Sequence, residues 1–247
     1  MNVERYGEGD TPYLGVHGWA GNHRTFKPLV SHMPTEGVFY SVDLPGYGNS
    51  PAPGGDWDIE EIARLLAEEI ERIQNPPVTL VGYCGGGNLA LMAAKHLGGK
   101  VRRLVLIDPF AYMPLYFKVF TWGEFGRRAY FTTFANQLGR WFTNSALRGK
   151  RTGKSSLTQS FEKVDHEMTL RAIRGLAKFP SYRSFAGIEA AVDLVYGERS
   201  FKAVRESVVL WKQVWPHARI CELKGAGHSP IIEATAQLSR VVFDPEV

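Results

Sequence analysis

The sequence of 247 residues contains only two cysteines, Cys84 and Cys221, which are too few for a disulfide framework or a cysteine-rich metal site. It contains no run of 18 apolar residues, so we expect no membrane span. The first ten residues include acidic side chains and no apolar stretch, which is unlike a signal peptide and favours a cytoplasmic location. The net charge of +4 is too small to indicate a nucleic-acid partner.

Short apolar runs alternate with helical patterns in the first half of the chain. Asp58 and Glu61 have the spacing of a helix N-cap and its third helical residue, and apolar residues then recur at helical intervals. Near-continuous apolar runs are typical of strands that are buried on both faces of a parallel sheet. The predicted strands are PYLGVHG, VFYSVDL, PVTLVGY, RRLVLID, IEAAVDLVYG and ARICELKGAGH. This alternation predicts a doubly wound α/β domain.

The pattern changes after Asp108-Pro109. Residues 110–186 contain no convincing strand, which predicts a helical insertion, or cap, in a core made of residues 1–109 and 187–247. The alternative is two independent domains, but the C-terminal part is too short to bury a core of its own.

The predicted cap has an unusual composition. It contains thirteen Lys or Arg against four Asp or Glu, and twelve of the thirty aromatic residues lie between Phe110 and Phe142. These aromatics either line a pocket for an apolar acyl group or form the core of the cap. The basic residues, including Arg127, Arg128 and the run RGKRTGK at 148–154, either attract an anionic partner or are ordinary solvated charge.

The stretch VGYCGGGN places Cys84 between a predicted strand and a predicted helix. The pattern Gly82-x-Cys84-x-Gly86 is that of a nucleophile elbow with cysteine in place of serine. Glycines suit the neighbours of a sharp strand-to-helix turn, and the N–H groups at a helix start stabilise an oxyanion or a thiolate. The alternative is a buried structural cysteine.

Five motifs in order resemble the α/β-hydrolase superfamily over nearly the whole chain. They are VHGWAG, DLPGYGNS, GYCGGG, VYGERS and GAGHSP. The sequence is most similar to the capped esterase and thioesterase branch, such as the pimeloyl-carrier-protein methyl ester esterases. Its cysteine resembles the nucleophile of polyhydroxyalkanoate synthases and dienelactone hydrolases. The resemblance implies an α/β-hydrolase fold with a mostly parallel sheet and a helical cap inserted after the strand that ends at Asp108.

The resemblance also implies the roles of the site residues. Cys84 would be the nucleophile, His228 the general base and acid, and the backbone N–H groups of Trp19 and Gly85 the oxyanion hole. His17 belongs to the same loop as Trp19 and is expected to shape that loop by hydrogen bonds. We expect neither a cofactor nor a metal.

The acid of the triad is the uncertain member. In relatives it lies at the end of a Gly-Glu-x-Asp turn, where this sequence has Ser200. Asp108, at the end of a strand, is the leading replacement, Glu198 is the alternative acid, and Asp193 lies at the wrong end of its strand. A dyad with no acid also remains open, because a thiol ionises more readily than a hydroxyl and depends less on a base such as His228.

Four functional hypotheses follow. The first is an acyl hydrolase, a carboxylesterase or thioesterase, that forms a covalent acyl-enzyme at Cys84. The second is an acyltransferase with the same nucleophile. The third is a catalytically quiet binding protein with a hydrolase fold, supported by the loss of an acid at Ser200. The fourth is that Cys84 replaces an original serine, in which case Cys84→Ser is the more active enzyme.

Overall fold

The structure, a computed structural model, describes residues 1–73 and 77–244. Seven strands form one sheet in the order β1-β3-β2-β4-β5-β6-β7. Their bounds are β1 Asn2–Tyr6, β2 Thr11–Val16, β3 Gly37–Asp43, β4 Val78–Tyr83, β5 Val101–Ile107, β6 Ala191–Gly197 and β7 Arg219–Leu223. The α/β-hydrolase fold predicted from the sequence is confirmed.

All strand pairs are parallel except that of β1 with β3, which is antiparallel. The sequence pattern had not indicated β1, the strand at one edge. Strands β5 and β6 pair directly, from Arg103 opposite Ala191 to Ile107 opposite Val195. The two halves of the chain therefore contribute to a single sheet, which contradicts the alternative of two independent domains.

Ten α-helices occur in the described residues. They are α1 Lys27–Val30, α2 Ile59–Glu71, α3 Gly85–Leu97, α4 Leu115–Lys118, α5 Gly123–Tyr130, α6 Gln137–Ala146, α7 His166–Leu176, α8 Lys202–Val214, α9 Pro230–Glu233 and α10 Thr235–Phe243. Asp58 is the N-cap of α2, and its carboxylate accepts from the backbone N–H groups of Glu60 and Glu61. The predicted start of this helix is confirmed.

The central strands bury side chains on both faces of the sheet. In β5, Leu104 and Leu106 pack into the core on the face that carries α2, α3 and α8, whereas Val105 and Ile107 pack into the core on the face that carries α1 and α10. Alternate residues of a strand point to opposite faces, so a strand between two helical layers is apolar at almost every position.

The chain between β5 and β6 contains helices and turns. Residues 110–186, all of them described, include α4 to α7 and short 3₁₀ or π turns but no strand. We call these residues the helical segment. Within the described residues, every helix is too short or too polar to cross a membrane.

Candidate active site

Cys84 lies in a sharp turn between β4 and α3. Its φ of 52° and ψ of −122° are strained for a residue with a side chain. A Cβ on Gly86 would lie 2.2 Å from the carbonyl oxygen of Val16, and a Cβ on Gly82 would lie 2.5 Å from Cα of Gly87. The flanking glycines are therefore required because backbone segments pass too close for a side chain. The turn has the geometry of a nucleophile elbow.

His228 lies in the loop after β7 and is 8% exposed. Its Nδ1 is 2.6 Å from Oδ2 of Asp108, a fully buried carboxylate at the end of β5. The other carboxylate oxygen, Oδ1, accepts from the backbone N–H of Gly197 at 3.1 Å. Because β5, β6 and β7 are adjacent parallel strands, the turn after β5 brings Asp108 close to the loop after β7 that bears His228.

Ser200 lies within hydrogen-bond distance of both groups. Its hydroxyl donates to Oδ2 of Asp108 at 2.8 Å, and its Oγ is 3.2 Å from Nδ1 of His228. The residue that stands where relatives have an acid therefore contacts the imidazole and its carboxylate partner. The lost charge at this position is visible in the sequence, whereas the hydrogen bond depends on the fold.

The electrostatic surroundings favour the charged form of His228. Burial lowers its pKa, but the nearby carboxylate of Asp108 and its hydrogen bond act in the opposite direction, and so does the side chain of Cys84. The balance raises the pKa of His228 to about 10. A thiolate at Cys84 would pair with an imidazolium at His228.

The structure does not bring the alternative acid to the histidine. Glu198 is exposed, and its carboxylate accepts from the backbone N–H of Gly225 at 2.8 Å. This hydrogen bond holds the Glu198 side chain against the turn at Gly225 and not against the imidazole of His228. Asp193 lies at the start of β6, where Arg103 and Arg219 donate to it at 2.6 and 2.8 Å, as expected for the other end of the sheet.

Trp19 and Gly85 both lie beside Cys84. Gly18, next to Trp19, is so close to the elbow that a Cβ there would lie 3.1 Å from Cβ of Cys84. Gly85 is the first residue of α3. A small cavity of about 40 Å³ is lined by Trp19, Cys84 and Gly85 together. The two residues predicted for the oxyanion hole thus line the same cavity as the cysteine.

A larger cavity of about 300 Å³ also opens beside Cys84 and His228. Apolar residues from both the core and the helical segment line it, among them Phe117, Phe134, Leu147, Leu157, Phe161, Phe201 and Ile231. This volume is at the lower end of the range for small-molecule pockets. The cavity suits an apolar group attached to the atom that Cys84 would attack.

The aromatics of the helical segment have three different positions. Several pack around the indole of Trp19, with ring centroids 4.9 to 6.4 Å away: Phe117, Phe120, Tyr130, Phe134 and Phe161. Three of these also line the large cavity. Others are exposed, among them Trp141 and Phe142. The two interpretations left open by the sequence, a pocket lining and an internal core, therefore both apply.

The basic run 148–154 contacts the loop of the candidate base. The carbonyl of Lys150 accepts from the backbone N–H of His228 at 2.8 Å. Glu233 accepts from the N–H of Thr152 at 2.7 Å and also from the hydroxyl of Ser155 and the N–H of Gly227. The view of this run as solvated charge is thus incomplete, and no local sequence signal indicated the role of Glu233.

His17 has the structural place expected for it. It is fully buried, its Nδ1 lies 2.8 Å from the carbonyl oxygen of Gly18, and its Nε2 accepts from the N–H of Leu44 at 3.1 Å. Burial is the largest influence and lowers the pKa of His17 to about 4. A neutral imidazole therefore connects the Trp19 loop to the loop after β3.

Comparison with known proteins agrees with this fold. The alpha/beta hydrolase family matches residues 14–241. The chain belongs to this family, and it is an enzyme of the hydrolase class with esterases among its relatives.

Two curated relatives illustrate the range of similarity. The pimeloyl-[acyl-carrier protein] methyl ester esterase of Aeromonas hydrophila is 25% identical over 98% of this chain and 97% of its own length. The AB hydrolase superfamily protein YisY of Bacillus subtilis is 34% identical, but over only 43% of this chain and 40% of its own length.

Solved structures show the same fold at low sequence identity. MenH from S. aureus has a TM-score of 0.81 at 17% identity and matches 97% of this chain and 96% of that protein. An esterase from Thermogutta terrifontis has a TM-score of 0.79 at 20% identity, over 98% of this chain and 90% of that protein.

Proposed function

We propose that the chain is an acyl hydrolase in which Cys84 is the nucleophile, His228 the general base and acid, and Asp108 the residue that orients His228. The observation that carries this proposal is the 2.6 Å contact between Asp108 and His228 beside a strained cysteine at a helix start. A buried carboxylate on Nδ1 fixes the imidazole so that Nε2 is free for the chemistry.

The first half-reaction would acylate the enzyme. The thiolate of Cys84 attacks the carbonyl carbon, and the carbonyl oxygen takes the electron pair and points to the N–H groups of Trp19 and Gly85. When the tetrahedral intermediate collapses, the bond to the leaving group breaks. Nε2 of His228 gives its proton to the departing alkoxide or thiolate. The products are a thioester at Cys84 and a free alcohol or thiol.

The second half-reaction would return the enzyme to its starting state. Neutral His228 takes a proton from a water molecule, and the resulting hydroxide attacks the thioester carbonyl. The bond to the sulfur breaks, the carboxylic acid leaves, and Cys84 is again a thiolate beside an imidazolium.

We further propose that the helical segment is the cap and that the substrate is an ester or thioester of an apolar acyl group. The apolar lining of the cavity of about 300 Å³ supports the acyl preference. The relatives named for an acyl-carrier protein ester, together with the basic composition of the cap, support a carrier- or coenzyme-linked substrate.

Turnover of p-nitrophenyl hexanoate and hexanoyl coenzyme A by Cys84→Ala tests this mechanism. We expect a loss of a thousandfold or more, and we expect mass spectrometry to find an acyl group on Cys84 of the native protein during turnover. Cys221→Ala is the matched control, because it removes the other free thiol, which lies on β7. The activity of this variant should equal that of the unchanged protein. Unchanged turnover in Cys84→Ala would contradict the mechanism.

The same assay distinguishes hydrolysis from acyl transfer. With an added alcohol, a hydrolase releases mainly the free acid, whereas an acyltransferase releases mainly the new ester.

The hypothesis of a catalytically quiet protein depended on the missing acid at Ser200, and Asp108 beside His228 weakens that support.

A further inference from the structure

Helix α6 exposes an apolar face. Leu138, Trp141 and Phe142 are 67%, 61% and 63% exposed, and the rings of Trp141 and Phe142 pack edge to face at 4.8 Å between centroids. Their spacing places them within about 100° of one another around a helix. A face with three large apolar side chains exposed by more than half is costly in water and indicates a binding surface.

The opposite face of this helix borders the cavity. Thr143, within α6, and Leu147, just after it, line the cavity of about 300 Å³ that also contacts Cys84 and His228. The inner side of α6 therefore belongs to the candidate active site, and its outer side belongs to the protein surface.

The chain around α6 carries charge of one sign. Residues 125–161 include seven Lys or Arg and no Asp or Glu. Arg148 and Lys154 are exposed, and within residues 1–73 and 77–244 neither has an ion-pair partner. An anionic partner would therefore meet unpaired positive charge next to the apolar face of α6.

We propose that α6 binds to the surface of anionic lipid bilayers, with Leu138, Trp141 and Phe142 inserted at the level of the headgroups. A Trp, a Phe and a Leu on one face, with cations beside them, is the composition of helices that lie in the membrane interface. An acidic carrier protein would account for the charge alone, whereas an anionic bilayer accounts for both the charge and the three exposed apolar side chains. In this orientation, the part of the cavity wall that α6 forms would lie next to the lipid.

Co-sedimentation with vesicles tests the proposal. We expect the full chain to bind vesicles of equal parts phosphatidylcholine and phosphatidylglycerol, and to bind pure phosphatidylcholine at least tenfold more weakly. Trp141→Ser/Phe142→Ser should weaken binding to the mixed vesicles at least tenfold. Arg148→Gln/Lys154→Gln should weaken it roughly thirtyfold, because each basic residue near an anionic surface contributes about fivefold.

Two matched controls should bind as the unchanged protein does. Val209→Ser/Ile220→Ser removes exposed apolar side chains from α8 and β7, and Lys95→Gln/Lys100→Gln removes two positive charges from the other end of the sheet. Thermal unfolding of each variant verifies that it is folded.

Three results would overturn the proposal. They are equal binding to neutral and anionic vesicles, unchanged binding by the Trp141/Phe142 variant, and binding to an acyl carrier protein that requires the same residues without any binding to vesicles. The proposal is independent of the proposed reaction, because Cys84→Ala should lose turnover and still bind vesicles.

Discussion

Nδ1 of His228 lies 2.6 Å from Oδ2 of Asp108, although 120 residues separate them in the chain. The carboxylate comes from the end of β5 and not from the turn after β6, where Ser200 stands instead. Ser200 donates to the same carboxylate oxygen at 2.8 Å. The site thus combines a carboxylate that follows one strand with a hydroxyl in the turn after the next.

Asp108→Asn should reduce kcat/KM by roughly a hundredfold or more, the usual contribution of general acid–base catalysis. The same change lowers the pKa of His228, because it removes the carboxylate that stabilises the imidazolium. Without that cation, the negative charge on the attacking sulfur of Cys84 is less stabilised, so iodoacetamide should label this thiol more slowly at pH 7.

Mass spectrometry of the labelled peptides measures both thiols in one sample. Cys221 is the internal control, because burial raises its pKa and no contact with Asp108 connects it to the substitution. Equal labelling rates for Cys84 in the native and Asp108→Asn proteins would contradict the proposed pairing.

The acid can be moved to the position that it has in relatives. Ser200 Oγ is 3.2 Å from Nδ1 of His228, so a carboxylate at this position can reach the imidazole. Asp108→Ser/Ser200→Asp should therefore regain at least tenfold in kcat/KM over Asp108→Ser alone. Steady-state kinetics on one ester substrate measures the difference.

Two single variants complete this comparison. Ser200→Ala should lose only a few-fold, because Asp108 still contacts His228. Ser200→Asp alone places two carboxylates together, which raises the pKa of one of them and makes activity depend on pH in the acidic range. If the double variant is no better than Asp108→Ser, the hydroxyl site cannot serve as an acid site.

Glu233→Gln should destabilise the contact between the helical segment and the loop of His228. The carboxylate accepts from Thr152, Ser155 and Gly227, and an amide can replace only part of this set. Loss of charge-assisted hydrogen bonds costs about 2 kcal/mol in the free energy of unfolding, which urea denaturation measures.

Activity should decrease as well, because Gly227 adjoins His228 in the chain. Glu189→Gln is the control, since this exposed glutamate lies just before β6 and should change neither stability nor kcat/KM. Equal free energies of unfolding for Glu233→Gln and Glu189→Gln would show that Glu233 does not stabilise the contact between the helical segment and the loop of His228.

His17 should make the protein less stable in weak acid. The pKa of His17 is about 4 in the folded protein and about 6.5 in the unfolded chain. Between pH 4 and 6.5, the unfolded chain therefore binds a proton at His17 that the folded protein does not bind. Stability is thus lost as pH falls from about 6.5 to 4, by about 3 kcal/mol in total, and no further below that. Urea unfolding of His17→Gln at several pH values should lack this component.

Carboxylates also titrate in this range, so the difference between the two proteins is the relevant quantity. His17→Gln loses the acceptor for the N–H of Leu44 at every pH, which adds a constant offset. If the difference in unfolding free energy between the native and His17→Gln proteins does not vary between pH 4 and 6.5, the lowered pKa of His17 is contradicted.

The sequence predicted those parts of the site that depend on local pattern. The turn at Cys84 needs glycines wherever the backbone of β2 or α3 approaches, and that requirement is visible in VGYCGGGN. Whether Asp108 or Glu198 serves His228 depends on which strands end side by side, so the local pattern left the question open.

Two other features follow from tertiary packing. β1 has polar residues such as Glu4 and Arg5 and is at most half-buried, because it is an edge strand, so its pattern was weak. The pattern of α6 predicts a helix with one apolar face and would normally place that face inside. Here the Trp19 cluster occupies the interior, and Trp141 faces outward.

The bond from the N–H of His228 to the carbonyl of Lys150 limits how this enzyme can be rebuilt. The helical segment cannot be exchanged as a cassette between relatives, because the donor segment must also supply a carbonyl at this point. Chimeras joined at the end of β5 and the start of β6 should therefore inherit activity only when the stretch equivalent to 148–155 keeps its length and its partner at Glu233.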